Sequence, residues 1–230
     1  EYCAREDLNL VSYRVMVVLN PIKLVIDNYP ESKEEYLEAA NNPENNEYGT
    51  RLIPFSKEIY IEKEDFREEY DKNFYRLSIG NEVRLKNAYI IRAHSVEKDD
   101  KDGTHTIHCT YDVKSKSGSG TKESHRKVKG TIHWVSIKHA ILGKVMLYDR
   151  LFNVISPDED QNIDFKQFLN PNSLHIINNV YLEPSLKAAK KSEYYQFQRR
   201  GYFKLDKDST EKNLIFNKTV SLRDTWAKKK

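Results

Sequence analysis

Short runs of alternating apolar and polar residues, separated by turn residues, dominate this chain and most constrain its fold. Alternation with a period of two is the pattern of half-buried strands, and many short strands are typical of sandwiches and barrels. Helical spacing is scarce, and it is found at Phe66, Tyr70 and Phe74 and in the stretch Ser185 to Lys190. The sequence therefore predicts an all-β fold with few short helices. The predicted strand runs are Ile53 to Ile61, Phe74 to Ile79, Val83 to Ile91, Thr104 to Tyr111, Lys129 to Val135, Lys144 to Leu151, Ser173 to Val180 and Leu214 to Val220.

The length of 230 residues allows one large domain or two domains of about 100 to 120 residues each. The polar stretch Ser115 to Lys122 is the candidate internal boundary, either as an interdomain linker or as a long hairpin loop. Cys3 and Cys109 are the two cysteines, which predicts no disulfide framework and favours a reducing compartment such as the cytoplasm. The longest apolar runs, such as Val15 to Leu19, are too short to span a bilayer. An opening at Glu1 without Met suggests a piece of a longer protein.

The charges are unevenly distributed along the chain, although the net charge is only +3. Residues 31–72 carry thirteen acidic and six basic residues, whereas residues 126–150 and 186–204 each carry six basic residues and one acidic residue. Such segregation can produce a basic face on a nearly neutral protein, as expected for a nucleic-acid partner. Solvated faces without a partner are the open alternative.

The stretch Tyr194 to Phe203 combines five aromatic residues, two glutamines and two arginines, and it contains no acidic residue. Aromatic rings can stack on unpaired bases, and Gln and Arg side chains can read base edges. The alternative is an ordinary strand that places Tyr195, Phe197 and Phe203 in a core, because aromatic residues are good strand formers.

A hairpin is predicted around the loop Gly80 to Glu82. Directly opposed residues in a hairpin share a face, and this loop sets Ile79 against Val83 and Leu77 against Leu85. The other face then carries cations with almost no compensating acid, so we expect an anion or a base edge as their partner. These cations are Arg76, Arg84 and Lys86.

Catalytic and metal-binding patterns are missing from the sequence. It contains no glycine-rich phosphate loop, nucleophile elbow or paired catalytic carboxylates. His105 and His108 point to opposite faces of a strand, which does not suit a metal site. We therefore expect neither an active site nor a metal site within this chain.

Eight ordered blocks extend over essentially the whole chain: RVMVVLNPIKLVIDNY (14–29), PFSKEIYIEKEDFREE (54–69), RLSIGNEVRLKNAY (76–89), VKGTIHWVS (128–136), YDRLF (148–152), EPSLK (183–187), YQFQRRGYF (195–203) and FNKTVSLRDTWAK (216–228). Together they closely resemble the C-terminal anticodon-binding region of the glutaminyl-tRNA synthetases. The resemblance implies two small β-barrels related by duplication, with exchanged N-terminal strands. It implies the end of a linker at residues 1–10, a first barrel region at 11–125 and a second at 126–230, with approximate limits because of the strand exchange.

The resemblance also implies a function. In this family the barrels clasp the anticodon loop, so the expected partner is glutamine tRNA, bound by a cytoplasmic monomer that does not touch a membrane. The catalytic domain of this ATP-dependent ligase lies upstream in the family, and ATP is expected to bind there. We expect no cofactor in this chain, which should bind tRNA without ligating it. The alternatives are the anticodon-binding part of a eukaryotic or archaeal type of glutamyl-tRNA synthetase, and a barrel protein that binds 5S ribosomal RNA.

Three residues match the family positions that surround the central anticodon uracil: Arg14, Gln196 and Arg199. Gln196 and Arg199 are three positions apart, so a regular strand would point them to opposite sides. Both can line one pocket only if the backbone bulges or turns between them.

Four further residues match positions near the outer anticodon bases. Arg76 matches the arginine that reads the third base, a guanine, and Arg84 and Lys86 match the basic pair near the first, variable base. Lys86 stands where another branch of the family has arginine, and it lacks the planar fork of a guanidinium. Asn73 stands where glutamine is common and is shorter by one methylene group.

Overall fold

The computed structural model describes residues 1–98, 105–160 and 162–223, and it consists mostly of β-strands. Some residues named in the sequence analysis lie outside the described residues. They are Thr104 of the fourth predicted strand run, Trp226 of the last block, and the tail Lys228 to Lys230. One α-helix, α1 (Tyr2–Val11), opens the chain, and short 3-10 turns occur at Asn46–Tyr48, Lys63–Asp65, Val113–Ser115, Phe165–Phe168 and Pro184–Ala188. The strands are β1 (Ser12–Val15), β2 (Val17–Val18), β3 (Pro21–Ile26), β4 (Glu35–Ala40), β5 (Thr50–Phe55), β6 (Glu58–Glu62), β7 (Phe66–Arg67), β8 (Leu77–Ser78), β9 (Glu82–Leu85), β10 (Ile90–Lys98), β11 (His105–Tyr111), β12 (Thr131–Ile132), β13 (Trp134–Ser136), β14 (Ile141–Tyr148), β15 (Leu174–Leu182), β16 (Tyr194–Phe197), β17 (Gly201–Leu205) and β18 (Leu214–Val220).

Two seven-stranded sheets repeat the same topology. In the first the strand order is β12-β9-β10-β11-β3-β6-β13, and in the second it is β1-β16-β17-β18-β14-β15-β2. The direction of each pairing also agrees: the first and fourth contacts along each order are parallel and the other four are antiparallel. The expected duplication is therefore confirmed strand by strand.

Exchanged strands nearly close each sheet into a barrel. β1 and β2 follow one another at the N-terminus, yet they occupy the two opposite edges of the second sheet. β12 and β13 occupy the two edges of the first sheet in the same way. Because one continuous segment pairs with both edges, each sheet curls round on itself, and the all-β prediction of two barrels with exchanged strands is confirmed. We call the barrel built on β3, β6 and β9 to β11 the first barrel, and the barrel built on β14 to β18 the second barrel.

The N-terminal closing segment contributes to the cores of both barrels. Val15 and Val17 belong to the buried cluster of the second barrel, whereas Met16 and Val18 belong to that of the first. Successive side chains of an extended backbone point to opposite sides, so the segment lies between two apolar interiors. The segment is a continuous apolar run because both of its sides are buried. A strand with one side in water would instead alternate apolar and polar residues.

The aromatic residues of the stretch Tyr194 to Phe203 mostly build a core. Tyr195, Phe197 and Phe203 are at most 3% exposed, and the rings of Phe197 and Phe203 stack with centroids 4.0 Å apart. The interpretation of these rings as stacking surfaces for bases is therefore wrong, and the core alternative is confirmed. Tyr194 is the half-buried member of the group, and the Lys204 ammonium lies 4.3 Å from its ring centroid.

The predicted hairpin around Gly80 does not form. β8 pairs with β7 in parallel, while β9 pairs with β10 in an antiparallel register that sets Val83 against Ile91. The turn between β9 and β10 contains Asn87 with φ of 59°. Asn tolerates the left-handed region well, so the run Val83 to Ile91 folds into a hairpin of its own instead of a single strand.

Other local expectations met mixed outcomes. The helical spacing of Phe66, Tyr70 and Phe74 does not produce a helix, because Phe66 lies in β7 and the following residues form turns. The expected short helical turn after Glu183 is present as the 3-10 turn at Pro184–Ala188. Among the helices of the described residues, none is long and apolar enough to cross a membrane.

The candidate boundary at Ser115 to Lys122 packs on the first barrel. It leads from β11 to β12, which are not neighbours in their sheet, so it is not a hairpin loop. Ser115 is fully buried, and its hydroxyl accepts a hydrogen bond of 2.8 Å from the Ile90 backbone N–H. The Ser117 N–H donates to the Ala88 carbonyl at 2.8 Å. These contacts hold the segment in place despite its polar, flexible composition.

Two buried glutamates at equivalent positions join the barrels. Glu62 ends β6 and Glu183 follows β15, and both side chains are 1% exposed. Arg200, from the turn after β16, pairs with Glu62 at 2.5 and 2.9 Å. Arg51 of β5 donates to Glu183 at 2.5 and 3.0 Å. Each arginine comes from the opposite half of the chain, and a buried carboxylate without its counter-charge is costly, so these pairs fix the barrels against each other.

Glu62 also holds the segment between β2 and β3. Its carboxylate accepts hydrogen bonds of 2.9 and 3.0 Å from the backbone N–H groups of Leu19 and Asn20. Burial on its own would raise the pKa of Glu62, but the neighbouring His133 and Arg200 side chains outweigh it and lower the pKa to about 2. The ionised carboxylate is thus part of the folded structure.

Replacing Glu62 with Gln should lower the free energy of unfolding by about 3 kcal/mol at neutral pH, since Arg200 loses its buried counter-charge and keeps only the exposed Glu64 carboxylate. The folded-state pKa of Glu62 lies below its ordinary value of 4.5. The stabilisation is therefore complete above about pH 5 and is lost as the pH falls towards about 2. Denaturant unfolding of both proteins across this window should show their difference shrinking. Glu58→Gln, in the same strand, removes a carboxylate that is 44% exposed and pairs with Lys23, and it should match the wild type within about 0.5 kcal/mol. A difference that stays constant down to pH 3 would contradict the assignment.

Candidate nucleic-acid interface

Arg14 and Gln196 lie side by side on adjacent strands. β1 pairs with β16 in parallel, and Arg14 stands opposite Gln196 in the register. Arg14 is only 4% exposed, and its guanidinium donates to the carbonyl and side-chain oxygens of Asn9 at 2.9 and 2.6 Å and to the Ser12 carbonyl at 3.3 Å. Burial lowers the pKa of Arg14. The structure thus engages Arg14 with the end of α1, while the half-buried Gln196 amide has no hydrogen-bond partner within the described residues.

Arg199 lies in the turn that separates β16 from β17. β16 ends at Phe197, and Arg199 adopts φ of 66°, so the backbone does turn between Gln196 and Arg199 as a shared pocket requires. The two terminal nitrogens of Arg199 donate to the two oxygens of Asp65, at 2.5 and 2.6 Å. Asp65 belongs to the first barrel, so Arg199 reaches across the junction.

Arg76 binds the same carboxylate from the other side. Its guanidinium lies 3.1 Å from the Asp65 carboxylate and donates to the Glu64 carbonyl at 3.2 Å. The Arg76 side chain remains 40% exposed and lines an open cleft of about 320 Å³. The expectation of a cation without compensating acid is therefore wrong for Arg76.

The cleft beside Arg76 combines exposed rings with basic side chains. Tyr70 and Tyr75 are 62% and 56% exposed, so their faces are accessible for stacking. Asp71 and Glu82 supply the acidic part of the lining. Sequence reasoning missed this site, because Tyr70 and Phe74 were read as one face of a helix and the basic segment had no assigned location. The rest of the lining includes Lys72, Phe74, Gly80, Asn81, Arg92, Lys127, Val128 and Lys129.

Arg84 holds a loop in place. Its terminal nitrogens donate to the carbonyl oxygens of Ser115 and Ser124, both at 2.9 Å, to that of Arg126 at 3.3 Å and to the Ser117 hydroxyl at 3.2 Å. Burial lowers the pKa of Arg84, and the neighbouring Arg126 adds to this effect. These acceptors replace the anion that the predicted cation face required, so that expectation is wrong for Arg84 as well.

The Lys86 and Asn73 side chains make no hydrogen bond or ion pair within the part of the chain that the structure describes. The half-buried Lys86 forms no side-chain hydrogen bond or ion pair with any residue that the structure describes. Asn73 is exposed in the loop before Arg76, where its backbone N–H donates to Asp71 at 2.9 Å. Neither residue lines the cleft next to Arg76.

Known families match both barrels. The anticodon-binding domain of the class I tRNA synthetases for glutamate and glutamine matches residues 12–112, and a second anticodon-binding domain of the same synthetases matches residues 131–206. The chain belongs to this anticodon-binding family. Both matched ranges begin at a closing strand, β1 in one and β12 in the other, in agreement with the repeated topology.

Curated relatives of this anticodon-binding chain extend the match to nearly its whole length. A glutamine–tRNA ligase from Proteus mirabilis (strain HI4320) is 51% identical over 228 residues, which is 99% of this chain and 40% of the relative. Those from Vibrio vulnificus (strain YJ016) and Enterobacter sp. (strain 638) are 50% identical over 229 residues, with the same coverage. The chain therefore spans about 40% of the length of the relatives it matches.

Replacing Gly130 with Ala should disturb the cleft of this anticodon-binding chain. A Cβ atom at Gly130 would lie 1.9 Å from the Tyr75 carbonyl oxygen, which forces the loop before Arg76 to move. We expect a loss of about 1–3 kcal/mol in the free energy of unfolding, measured by denaturant titration. Lys129→Ala removes an exposed neighbouring side chain and should change the free energy of unfolding by less than about 0.5 kcal/mol. Equal stability of both variants would show that Gly130 does not pack against Tyr75.

Proposed function

We propose that this chain is the anticodon-binding part of a glutamine–tRNA ligase and that it binds the anticodon loop of glutamine tRNA. The observation that carries the proposal is the 51% identity, over 99% of the chain, to a protein named glutamine–tRNA ligase. The two matched anticodon-binding domains and the basic, aromatic cleft support it. The family models cover the glutamate and glutamine synthetases alike, and the names of the relatives favour glutamine over the glutamyl-tRNA synthetase and 5S RNA-binding alternatives.

Arg14, Gln196 and Arg199 are proposed to receive the central uracil. Uracil presents two carbonyl acceptors on either side of one N–H donor. The Gln196 amide can accept from that N–H and donate to a carbonyl, and its lack of a partner among the described residues leaves it ready to do so. Arg199 keeps N–H groups that Asp65 does not use, whereas Arg14 contributes mainly by fixing the strand beside Gln196.

The third base, guanine in glutamine anticodons, is proposed to bind in the cleft beside Arg76. A guanidinium can donate to the O6 and N7 atoms of guanine together, which is the commonest base-specific contact in nucleic-acid recognition. Tyr70 and Tyr75 offer exposed rings for stacking, and Lys127 and Lys129 offer cations for phosphates. The cleft therefore unites the three kinds of contact that an unpaired base requires.

The first, variable base is proposed to lie near Arg84, Lys86 and Asn73. The terminal nitrogens of Arg84 donate hydrogen bonds to the loop after β11, so Arg84 is proposed to position this loop more than to contact a base. The Lys86 ammonium has no partner among the described residues, and it can approach more than one base because it lacks a fixed fork. A lysine contact of this kind suits a variable position.

The whole protein is proposed to be a cytoplasmic, ATP-dependent ligase that acts as a monomer, with ATP and glutamine bound by a catalytic domain outside this chain. The support is that the chain spans 40% of its ligase relatives, so most of each relative lies elsewhere. The two free cysteines suit a reducing compartment. This chain alone should bind tRNA without charging it.

A binding comparison tests the proposed function. Glutamine and glutamate anticodons share the central uracil and differ at the third base, which is guanine or cytosine. The chain should bind the glutamine stem-loop at least about fivefold more tightly, because a good base contact discriminates by roughly 1–3 kcal/mol. Affinity should also fall with salt, with a log–log slope on the order of −3 to −6. Equal affinity for both stem-loops would refute the proposal.

Gln196→Ala should remove selectivity for the central base. We expect a loss of roughly 1–3 kcal/mol in binding the glutamine stem-loop and a smaller loss for a stem-loop with central cytosine, which has an amino donor where uracil has an acceptor. Lys204→Ala is the control, because its ammonium lies over the Tyr194 ring and should act only through charge, weakening both stem-loops alike. Equal losses for both stem-loops with Gln196→Ala would show that Gln196 does not read the base.

A further inference from the structure

One carboxylate is shared by two arginines that come from different barrels. Asp65 ends the 3-10 turn that follows β6, and its side chain is fully buried. It accepts two hydrogen bonds from Arg199 of the second barrel, at 2.5 and 2.6 Å, and lies 3.1 Å from Arg76 of the first barrel. The two guanidinium groups thus converge on a single buried anion.

The outer sides of both guanidinium groups remain open to a ligand. The Arg199 side chain is 29% exposed and the Arg76 side chain 40% exposed, although the carboxylate between them is not exposed at all. A guanidinium has five N–H donors, and Asp65 takes two from Arg199. One more points towards the His133 ring nitrogen at 3.4 Å. Donors remain on both arginines for acceptors that approach from solvent.

Asp65 also maintains the backbone shape at Arg199. A left-handed conformation is uncommon for a residue other than Gly or Asn, and it persists where surrounding contacts over-determine it. The bidentate contact to Asp65 is such a contact, since it fixes both the distance and the plane of the guanidinium. Without the carboxylate, both the turn and the direction of the side chain would be released.

We propose that Asp65 is a shared positioning residue that orients Arg199 and Arg76 together and thereby couples the reading of the central and third anticodon bases. The proposal rests on the proposed function, because it takes the two arginines as the readers of neighbouring bases. A buried carboxylate shared by two guanidinium groups couples them, because a shift of one group changes the electrostatic field and the hydrogen bonding at the other. A base that binds one arginine therefore changes the N–H donors that the other arginine presents to the neighbouring base.

Asp65→Asn tests the role of the charge while keeping the side-chain shape. We expect the selectivity for central uracil over cytosine and for third-position guanine over cytosine to fall together, each by about fivefold or more, in stem-loop binding assays. Glu68→Gln is the matched control, because it removes one negative charge from an exposed pair with Lys98. The control should leave both selectivities unchanged. If Asp65→Asn merely raises the affinity for every stem-loop, as the loss of a repelling charge would, Asp65 does not position the arginines.

Two conservative variants keep Asp65 in place and make the test independent of its folding role. Arg199→Lys and Arg76→Lys retain the positive charges but cannot form the planar fork. With coupled reading, Arg199→Lys lowers selectivity at the third base as well as at the central base. Arg76→Lys likewise lowers selectivity at the central base as well as at the third base. Effects confined to one base each would overturn the coupling. A wild-type chain that fails to discriminate the stem-loops would instead refute the proposed function itself.

Discussion

Charge compensation at the junction between the barrels is the constraint on which the rest of the structure depends. Removing an ionised carboxylate from water costs several kcal/mol, and the cost is offset only by a partner with good geometry. For Glu62 and Glu183 that partner is an arginine from the opposite half of the chain, Arg200 or Arg51. Neither barrel can bury its own glutamate favourably without the other. The N-terminal closing segment, Val15 to Val18, also makes each barrel depend on the other. Its alternate side chains pack into the two different hydrophobic cores.

The duplication places the predicted base readers at equivalent positions. Arg14 faces Gln196 across the parallel pair β1–β16, and Thr131 faces Arg84 across the parallel pair β12–β9. Gln196 and Arg84 therefore occupy the same position in the two repeats, beside strands that come from elsewhere in the chain. The chemistry has diverged: the Gln196 amide is unpaired within the described residues, whereas Arg84 is committed to the loop after β11. The same barrel edge thus leaves an amide available for the proposed base contact in one repeat and anchors a loop in the other.

Properties that depend on sequence neighbours could be predicted, and those that depend on distant partners could not. Alternation located most strands, and the run Leu214 to Val220 coincides with β18. Alternation did not reveal that β9 pairs with β10. The turn at Asn87, which adopts a left-handed conformation, joins these two strands, whereas the predicted hairpin turn was at Gly80. The barrels themselves were predicted from resemblance to a family. For the site, Arg199 was identified by its motif, but its partner Asp65 lies 134 positions away, in the acidic segment 31–72, and no local pattern links the two residues.

The same pairing changes the meaning of the charge pattern. Segment counts suggested a basic face on a nearly neutral protein, yet Glu62 and Asp65 of the acidic segment neutralise Arg200 and Arg199 of a basic one inside the junction. These charges add little to the field that an approaching polyanion meets, since each arginine is matched by a buried carboxylate. The field of this region must come from the exposed cations that line the cleft, such as Lys127 and Lys129. The arginines held at the junction are proposed to act at short range, where a rigid fork can distinguish one base from another.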